Sequence, residues 1–444
     1  GAREADIVDH AQRFRRAVGF DRPQLVALVG GGLGTDPAEG KRAPDEVDPG
    51  EERRLGAIRG QNRDEFGLRL RDAAVEDDDA EQDGCGGAGD GGTIGRNVDA
   101  FRQYRLVPRA LTGVTAVDTS VELFGRRYAS LFGISAVGIA GIYRRHADEL
   151  LAQAARDANI PFILSGASMA SIETICRIAP DHTWYQLYGA HRPDVTDDML
   201  ARARDAGVKV LVYTVDYPLA PRSEVSTRSG ISMATGPSLR TFPRTLLDAL
   251  RHPFWTAEYL RGGGLPMLES WKPYAPPGSS AKQVAAYYVQ NWSNAQTWRD
   301  LDRIRAFWNG PLVVKGLVQA DDVTRAIEGG ADAVTISNHG GNKLDCMRAT
   351  LDALAQMRPA LDNGVRLFFD GGIRRGSDLF VAKALGADFC FAGRATIYGV
   401  AAGGLRGAQR AIDILQSDLS YTMAMTGCRS VPDITRDYLS TDAS

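Results

Sequence analysis

The chain has 444 residues, 44% of them hydrophobic and 24% charged, with a formal net charge of −3; this is an ordinary globular profile, with room for one large α/β barrel plus extensions. The near-neutral balance leaves no basic stripe to displace counterions from phosphates, which excludes a nucleic-acid partner. The five cysteines, Cys85, Cys176, Cys346, Cys390 and Cys428, are scattered without a CxxC spacing, which argues against zinc and for reduced, buried thiols.

The first 95 residues read as an extension. The segment Gly1 to Phe20 is charged throughout and shows no secretory signal, so a cytoplasmic protein is expected. Ile7 to Val18 suits one helix, but about residues 22–92 are rich in Gly, Asp, Glu and Arg and read as loop or disorder, because they cannot bury enough apolar surface to offset their ordering entropy. From residue 96 to 444 the pattern is regular. Short apolar runs at Phe132–Val137, Pro161–Leu164, Trp184–Leu187, Val208–Val215, Leu312–Val314, Ala333–Ile336, Arg366–Phe369 and Phe389–Ala392 predict strands. Amphipathic stretches such as Ala147–Asp157, Ser171–Ile178, Asp197–Ala206, Ala320–Glu328, Ala349–Arg358 and Ser377–Leu385 predict helices between them. Eight alternations predict a closed (β/α)8 TIM barrel. A doubly wound sheet would want a Gly-rich dinucleotide turn after its first strand, and none is present.

The longest apolar run, about Leu131 to Tyr143, is too short to span a bilayer. One connection, after the fourth strand, is long: residues 217–310, with Phe242, Phe254, Trp255, Tyr259, Trp271 and Tyr274, read as an insertion over the barrel mouth. Its basic, aromatic part, Leu247–Arg261, suits a membrane surface, and equally suits packing on the barrel or on a neighbouring subunit.

Residues at the C-terminal strand ends of such a barrel face the active site. In order these are Ser135, Ala136 and Gly138; Ser165; Gln186 with Tyr188; Thr214 with Asp216; Lys315; Ser337 with His339; Asp370; and Gly393 with Arg394. Polar or small residues ending otherwise apolar runs point to a bound polar cofactor. Asp370-Gly-Gly372-Ile-Arg374 and Gly393-Arg394 place Gly for close backbone approach and Arg for forked donation to a phosphate. A surface salt bridge is the plainer alternative for Arg374. Lys315 ends a strand of Leu and Val, so its ammonium should be buried and needs an anionic partner, for which a reduced flavin edge is one candidate and a Schiff base the rival role. His339 is followed by two glycines that open space before its ring. A lone His is more often structural, but Asp216 offers a carboxylate to orient it as a general base. Tyr188 is placed to donate to a substrate oxygen.

From about Gly86 onward the chain resembles the FMN-dependent α-hydroxy acid oxidases and dehydrogenases, over about four-fifths of its length. The resemblance lies in Arg96-Asn-Val-Asp-Ala-Phe101, Trp184-Tyr-Gln-Leu-Tyr188, Thr214-Val-Asp216, Val314-Lys-Gly316, Ser337-Asn-His-Gly-Gly341 with Leu344-Asp345, and Asp370-Gly-Gly-Ile-Arg-Arg-Gly376. The long insertion looks most like the membrane-associated mandelate dehydrogenases. The resemblance implies bound FMN, held by Ser165, Gln186, Thr214, Lys315, Ser337, Arg374, Gly393 and Arg394. It also implies catalysis by Tyr188, Asp216 and His339, with His339 removing a proton or assisting hydride transfer to flavin N5. Lys315 belongs to both sets. The partners so implied are a small-molecule substrate and an electron acceptor (a quinone, an electron carrier or O2), and relatives suggest a homotetramer. Gly138 matches the dehydrogenase rather than the oxidase members.

Three positions depart from the pattern. Relatives hold the substrate carboxylate with two arginines and a tyrosine; here Asn342 and Ser223 stand at the arginine positions, and Glu81-Gln-Asp-Gly-Cys85 holds no aromatic. Truncating one partner of a desolvated charge pair costs roughly 2–5 kcal/mol, so a changed substrate is expected. Arg222 and Lys343 are the cations left nearby to compensate. The substrate candidates are therefore Tyr188, Arg222, His339 and Asn342. An amide, ester or carrier-linked hydroxyl, or an amine-bearing carbon, fits better than a free 2-hydroxy acid. A flavin-binding protein without turnover is the second reading, and intact His339 and Asp216 argue against it.

Overall fold

The computed structural model describes residues 87–219, 223–224, 242–251, 253–264, 266–292, 295–362 and 364–441. The expectations for residues 1–86, and the predicted role of Arg222, lie outside these residues.

All eight apolar runs are strands: β1 Phe132–Ile134, β2 Phe162–Leu164, β3 Thr183–Leu187, β4 Val210–Thr214, β5 Leu312–Leu317, β6 Ala333–Ile336, β7 Leu367–Asp370 and β8 Phe389–Ala392. They pair in parallel in chain order, and β8 returns to β1, closing the barrel. The strands are buried on both faces, which is why they read as continuous apolar runs rather than alternations.

The barrel core has two parts. Inside, Ile163, Trp184, Val210, Val212, Val313, Ala333, Phe368, Phe389 and Phe391 fill the lumen. A hairpin of Val121–Leu123 and Arg126–Tyr128 packs Leu123 and Tyr128 against them. Trp184 and Phe391 meet edge to face at 5.4 Å, a favourable aromatic geometry. The helices, in chain order, are α1 Gly92–Asp99, α2 Ala147–Asp157, α3 Ile172–Ile178, α4 Pro193–Asp205, then α5 Phe242–Arg251, α6 Pro253–Arg261, α7 Ala281–Asn291 and α8 Trp298–Phe307 within the long connection, followed by α9 Ala320–Glu328, α10 Thr350–Met357, α11 Gly376–Ala384 and α12 Arg394–Thr426; outside the barrel the strands pack against α2, α3, α9, α10 and α11. Local chemistry marks several starts. The Ser171 hydroxyl accepts from the Thr174 N–H at the head of α3, Pro193 occupies the first turn of α4, and Ser280 with Gln283 forms a capping box on α7.

Helix α1 starts at Gly92, ahead of residue 96, and its buried face of Thr93, Ile94 and Asn97 joins the barrel rather than the extension. The long connection between β4 and β5 is helical and tied down at the mouth. Trp255 donates to the Ile142 carbonyl at 3.3 Å, Tyr259 to that of Gly141, and Trp271 to that of Gly166 at 3.0 Å. No described helix is long and apolar enough to cross a membrane. Cys176, Cys390 and Cys428 are buried as expected; Cys346 is exposed, on the loop after β6, and Cys85 lies outside the described residues.

Candidate active site

The site forms where β4 and β5 end side by side. Thr214 pairs with Lys315, and the Val215 N–H donates to the Lys315 carbonyl at 3.0 Å. The next residue in β5 makes the room. Gly316 has φ of 108°, and a Cβ there would lie 2.5 Å from the Asp216 carboxyl carbon. Any other residue would be strained and would displace the carboxylate. The β5–β6 pairing is irregular between Lys315 and Leu317, at this glycine, so the ladder is bent where the carboxylate must enter.

His339 follows β6 in a tight turn, with φ of 57°. Its Nδ1 lies 2.9 Å from Asp216 Oδ1. The carboxylate accepts, so Nδ1 carries the proton and Nε2 is the basic nitrogen. The Tyr188 hydroxyl is 3.3 Å from that Nε2, and the two rings lie 13° apart in tilt at 6.3 Å. Burial pulls the His339 pKa down to about 4, with Lys343 adding to the effect and Asp216 opposing it. Burial pushes the Asp216 carboxyl up, but His339, Lys315 and Lys343 together hold it below its ordinary value. At neutral pH the pair is therefore a neutral imidazole on a carboxylate, which is the state a general base needs.

Lys315 is 3% exposed. Its ammonium pairs with Asp370 at 2.9 Å and donates to Ser337 Oγ at 2.9 Å. Burial lowers the Lys315 pKa, yet Asp370 and Asp216 outweigh it and raise it. Asp370 also accepts from Ser135 Oγ at 2.8 Å, and Ser337 Oγ accepts from the His339 N–H at 3.0 Å. Ser165 Oγ and Gln186 Oε1 are 3.3 Å apart. Ala136 packs on the lumen cluster, and a Cβ on Gly138 would sit 3.6 Å from both Ser165 and Ala167. Among the buried polar atoms here that lack a hydrogen-bond partner among the described residues are Gln186 Nε2, Thr214 Oγ1 and Asp216 Oδ2. Buried donors left without partners are rare in a protein and mark where a bound polar group belongs.

The loops after β7 and β8 carry Gly372, Arg374, Gly393 and Arg394. Arg394 opens α12, and its Nη1 donates to the Gly340 carbonyl at 2.7 Å. The Arg374 N–H donates to Asp378 Oδ2 at 2.8 Å. A helix N-terminus that begins with an arginine suits a phosphate.

The described predicted residues thus gather at one mouth. Asn342 ends the His339 turn, with its N–H 3.3 Å from the His339 carbonyl. Ser223 lies beside Gly89 in a short parallel bridge. Several residues at the site were not singled out from sequence. Asn97 and Asn338 exchange side-chain amides at 2.8 and 2.9 Å, holding α1 behind the His339 turn. Thr93 donates to Asp345 at 2.8 Å. Tyr217 stacks on Trp292 at 4.2 Å and lies 6.1 Å from His339. The spacing of Thr93, Ile94 and Asn97 was a usable signal for α1; nothing local marks Trp292 as a neighbour of Tyr217.

A closed (β/α)8 barrel with a His–Asp pair, a buried lysine and an arginine on the loop after each of its last two strands is the architecture of a flavin-dependent oxidoreductase. The chain belongs to the FMN-dependent dehydrogenase family, whose model matches residues 83–441, and its cofactor is FMN. It is 34% identical over 355 residues to an L-lactate dehydrogenase of Vibrio cholerae serotype O1, covering 79% of this chain and 93% of that protein. Among solved structures it is similar to the monotopic membrane protein (S)-mandelate dehydrogenase, with a TM-score of 0.75 and 34% identity, covering 80% of this chain and 93% of that one. It is also similar to an arginine-to-leucine variant of mandelate oxidase with 2-hydroxy-phenylacetamide, with a TM-score of 0.65 and 27% identity, covering 81% and 92%.

Proposed function

We propose that this enzyme oxidises a CH–OH or CH–NH carbon that stands next to an uncharged carbonyl, such as an amide, an ester or a carrier- or peptide-linked acyl group, rather than a free 2-hydroxy acid. The observation that carries this reading is the combination of an assembled His339–Asp216 pair, 2.9 Å apart, with Asn342 and Ser223 where relatives bear carboxylate-binding arginines. The complex of the arginine-to-leucine mandelate oxidase variant with 2-hydroxy-phenylacetamide supports it, since there an amide accompanies the loss of an arginine.

In this reading Ser135, Ala136, Gly138, Ser165, Gln186, Thr214, Lys315, Ser337 and Asp370 line the ring and sugar portions of FMN. Gly372, Arg374, Gly393 and Arg394 hold its phosphate. The orphaned Gln186 Nε2 and Thr214 Oγ1 fit a polar ring edge. When bound, FMN supplies the two-electron acceptor for the carbon-bound hydrogen. His339 Nε2 takes the hydroxyl or amine proton, and Asp216 stabilises the imidazolium that results. Tyr188, whose phenol burial keeps well above its ordinary pKa, remains a donor for the substrate oxygen. The second substrate is an electron acceptor, either a quinone, an electron carrier or O2.

The test is anaerobic mixing of the FMN-loaded enzyme with matched 2-hydroxy acids and their amides and esters, and with the corresponding 2-amino amides. Faster bleaching of the flavin absorbance by uncharged members is expected. Rapid bleaching by L-lactate or mandelate alone would end this reading.

A peripheral membrane contact belongs to the same proposal. Helices α5 and α6 expose Leu246, Leu247, Leu250 and Leu260 beside Arg251 and Arg261, an apolar face with basic flanks suited to an anionic bilayer surface. The enzyme is expected to float with vesicles containing anionic lipid, and Leu250→Asp with Leu260→Asp to release it. Equal flotation of wild type and double variant would remove the helices as the contact. A homotetramer is proposed from the family resemblance, and sedimentation at the monomer mass would exclude it.

A further inference from the structure

Lys343 follows Asn342 on the loop after β6, and its ammonium sits 3.4 Å over the centre of the Tyr217 ring. Tyr217 is backed by Trp292 in a near-parallel stack, at 4.2 Å and 21°. Among the described residues Lys343 has no carboxylate within ion-pairing distance, while the two neighbouring charged side chains do have partners: Lys315 pairs with Asp370, and His339 with Asp216. A half-buried ammonium that rests only on an aromatic face is under-satisfied. Cation–π attraction offsets part of the cost of leaving water, and three N–H donors still want acceptors. The ring it covers lies 6.1 Å from His339 and 5.2 Å from Tyr188. The ammonium therefore lies in the neighbourhood of the His339–Tyr188 pair.

We infer that Lys343 is a substrate-binding residue, whose ammonium donates to the carbonyl oxygen on the carbon next to the one being oxidised, with Tyr217 and Trp292 as the wall behind it. This rests on the reading that His339 is the base for that carbon. A lysine is a point donor on a flexible stem and satisfies one carbonyl oxygen well, whereas an arginine fork matches both oxygens of a carboxylate. The replacement of arginine by Asn342 with Lys343 beside it therefore changes the oxygen count that the site recognises from two towards one.

The groups around Lys343 are Asp216 and Tyr217 after β4, Lys315 at the end of β5, His339 on its own loop and Tyr188 after β3. Burial, with Lys315 adding to it and Asp216 opposing, lowers the Lys343 pKa to about 7. The donor is thus mostly protonated below neutrality and is lost above it.

The test compares FMN-loaded wild type, Lys343→Met and Lys343→Arg by anaerobic flavin reduction with 2-hydroxy-phenylacetamide and with mandelate. Loss of one charged donor is expected to lower kcat/KM for the amide roughly 10- to 100-fold in Lys343→Met. Most of that loss should fall in KM, while FMN absorbance and the melting temperature stay unchanged. Lys343→Arg should recover the amide to within a few-fold and improve mandelate more than the amide. An amide kcat/KM in Lys343→Met within about threefold of wild type would overturn the role of Lys343. A wild type that prefers mandelate would instead overturn the uncharged-carbonyl reading, and the loss caused by Lys343→Met on mandelate would still judge Lys343 separately.

Discussion

Replacing His339 with alanine is expected to slow substrate-driven flavin bleaching by about 10²- to 10⁴-fold, the usual contribution of a general base, while the protein still carries FMN. The His339 ring makes two contacts on opposite nitrogens: Asp216 at 2.9 Å on Nδ1 and the Tyr188 hydroxyl at 3.3 Å on Nε2. The His339 ring itself does not fill the barrel lumen, which is built from Trp184, Phe368 and their neighbours. The variant should therefore still fold, losing roughly 1–3 kcal/mol because the buried Asp216 carboxylate loses its donor, while chemistry collapses. The same measurement has a pH signature. Burial holds the His339 pKa at about 4 against an ordinary 6.5, so the folded protein keeps the neutral base well below pH 6.5. The wild-type reduction rate should stay level as pH falls through 6.5 and drop only as it approaches about 4. The linked stability runs the same way. The unfolded chain protonates its histidine below 6.5 and the folded one does not, so this group's contribution to folding is present above 6.5 and lost as pH falls towards 4. A bleaching rate retained in the alanine variant would remove His339 as the base, and an acid limb centred near 6.5 would show that its imidazole is solvated.

The barrel was legible because each strand is buried on both faces, so its composition alone announces it: Val-Leu-Val-Tyr in β4 and Phe-Cys-Phe-Ala in β8 admit no polar residue before their ends. The site was legible for the same reason in reverse, since Lys315 and Asp370 are charges ending apolar runs and must face the mouth. What escaped the sequence was whatever depends on two distant segments meeting. Tyr217 and Trp292 are 75 residues apart, with no periodicity linking them, and their stack is visible only once the long connection folds back. Asn97 and Asn338 look like ordinary polar residues until their amides are found paired in a buried place. Gly316 resembles any glycine in a strand, and its necessity appears only when the Asp216 carboxylate is seen where a Cβ would stand. The extent of the N-terminal segment was obscured in another way. Glycine-rich composition argues for loop, yet α1 begins inside it at Gly92, because its Thr93–Ile94–Asn97 face is bought into order by docking on the His339 turn.

The second large effect is expected at Lys315. Substitution by methionine should remove a buried cation that Asp370 and Ser337 both use, at 2.9 Å each. Breaking a buried pair from one side leaves the other charge uncompensated and costs roughly 3–5 kcal/mol, so Lys315→Met should melt well below wild type. In the proposed site it should also bind FMN weakly, because Lys315 is the register partner of Thr214, whose hydroxyl is orphaned, across the β4–β5 pairing. The double variant Lys315→Met with Asp370→Asn separates the two roles. Neutralising Asp370 removes the uncompensated charge, and the asparagine oxygen can still accept from the Ser135 hydroxyl, which now donates to Asp370 at 2.8 Å. Thermal stability should then return most of the way towards wild type. Substrate-driven bleaching should not return, because no cation replaces the ammonium beside Asp216 and His339. If the double variant recovered both stability and reduction, Lys315 would be only the counter-ion of Asp370. If Lys315→Met alone melted and bleached like wild type, the buried pair would contribute to neither.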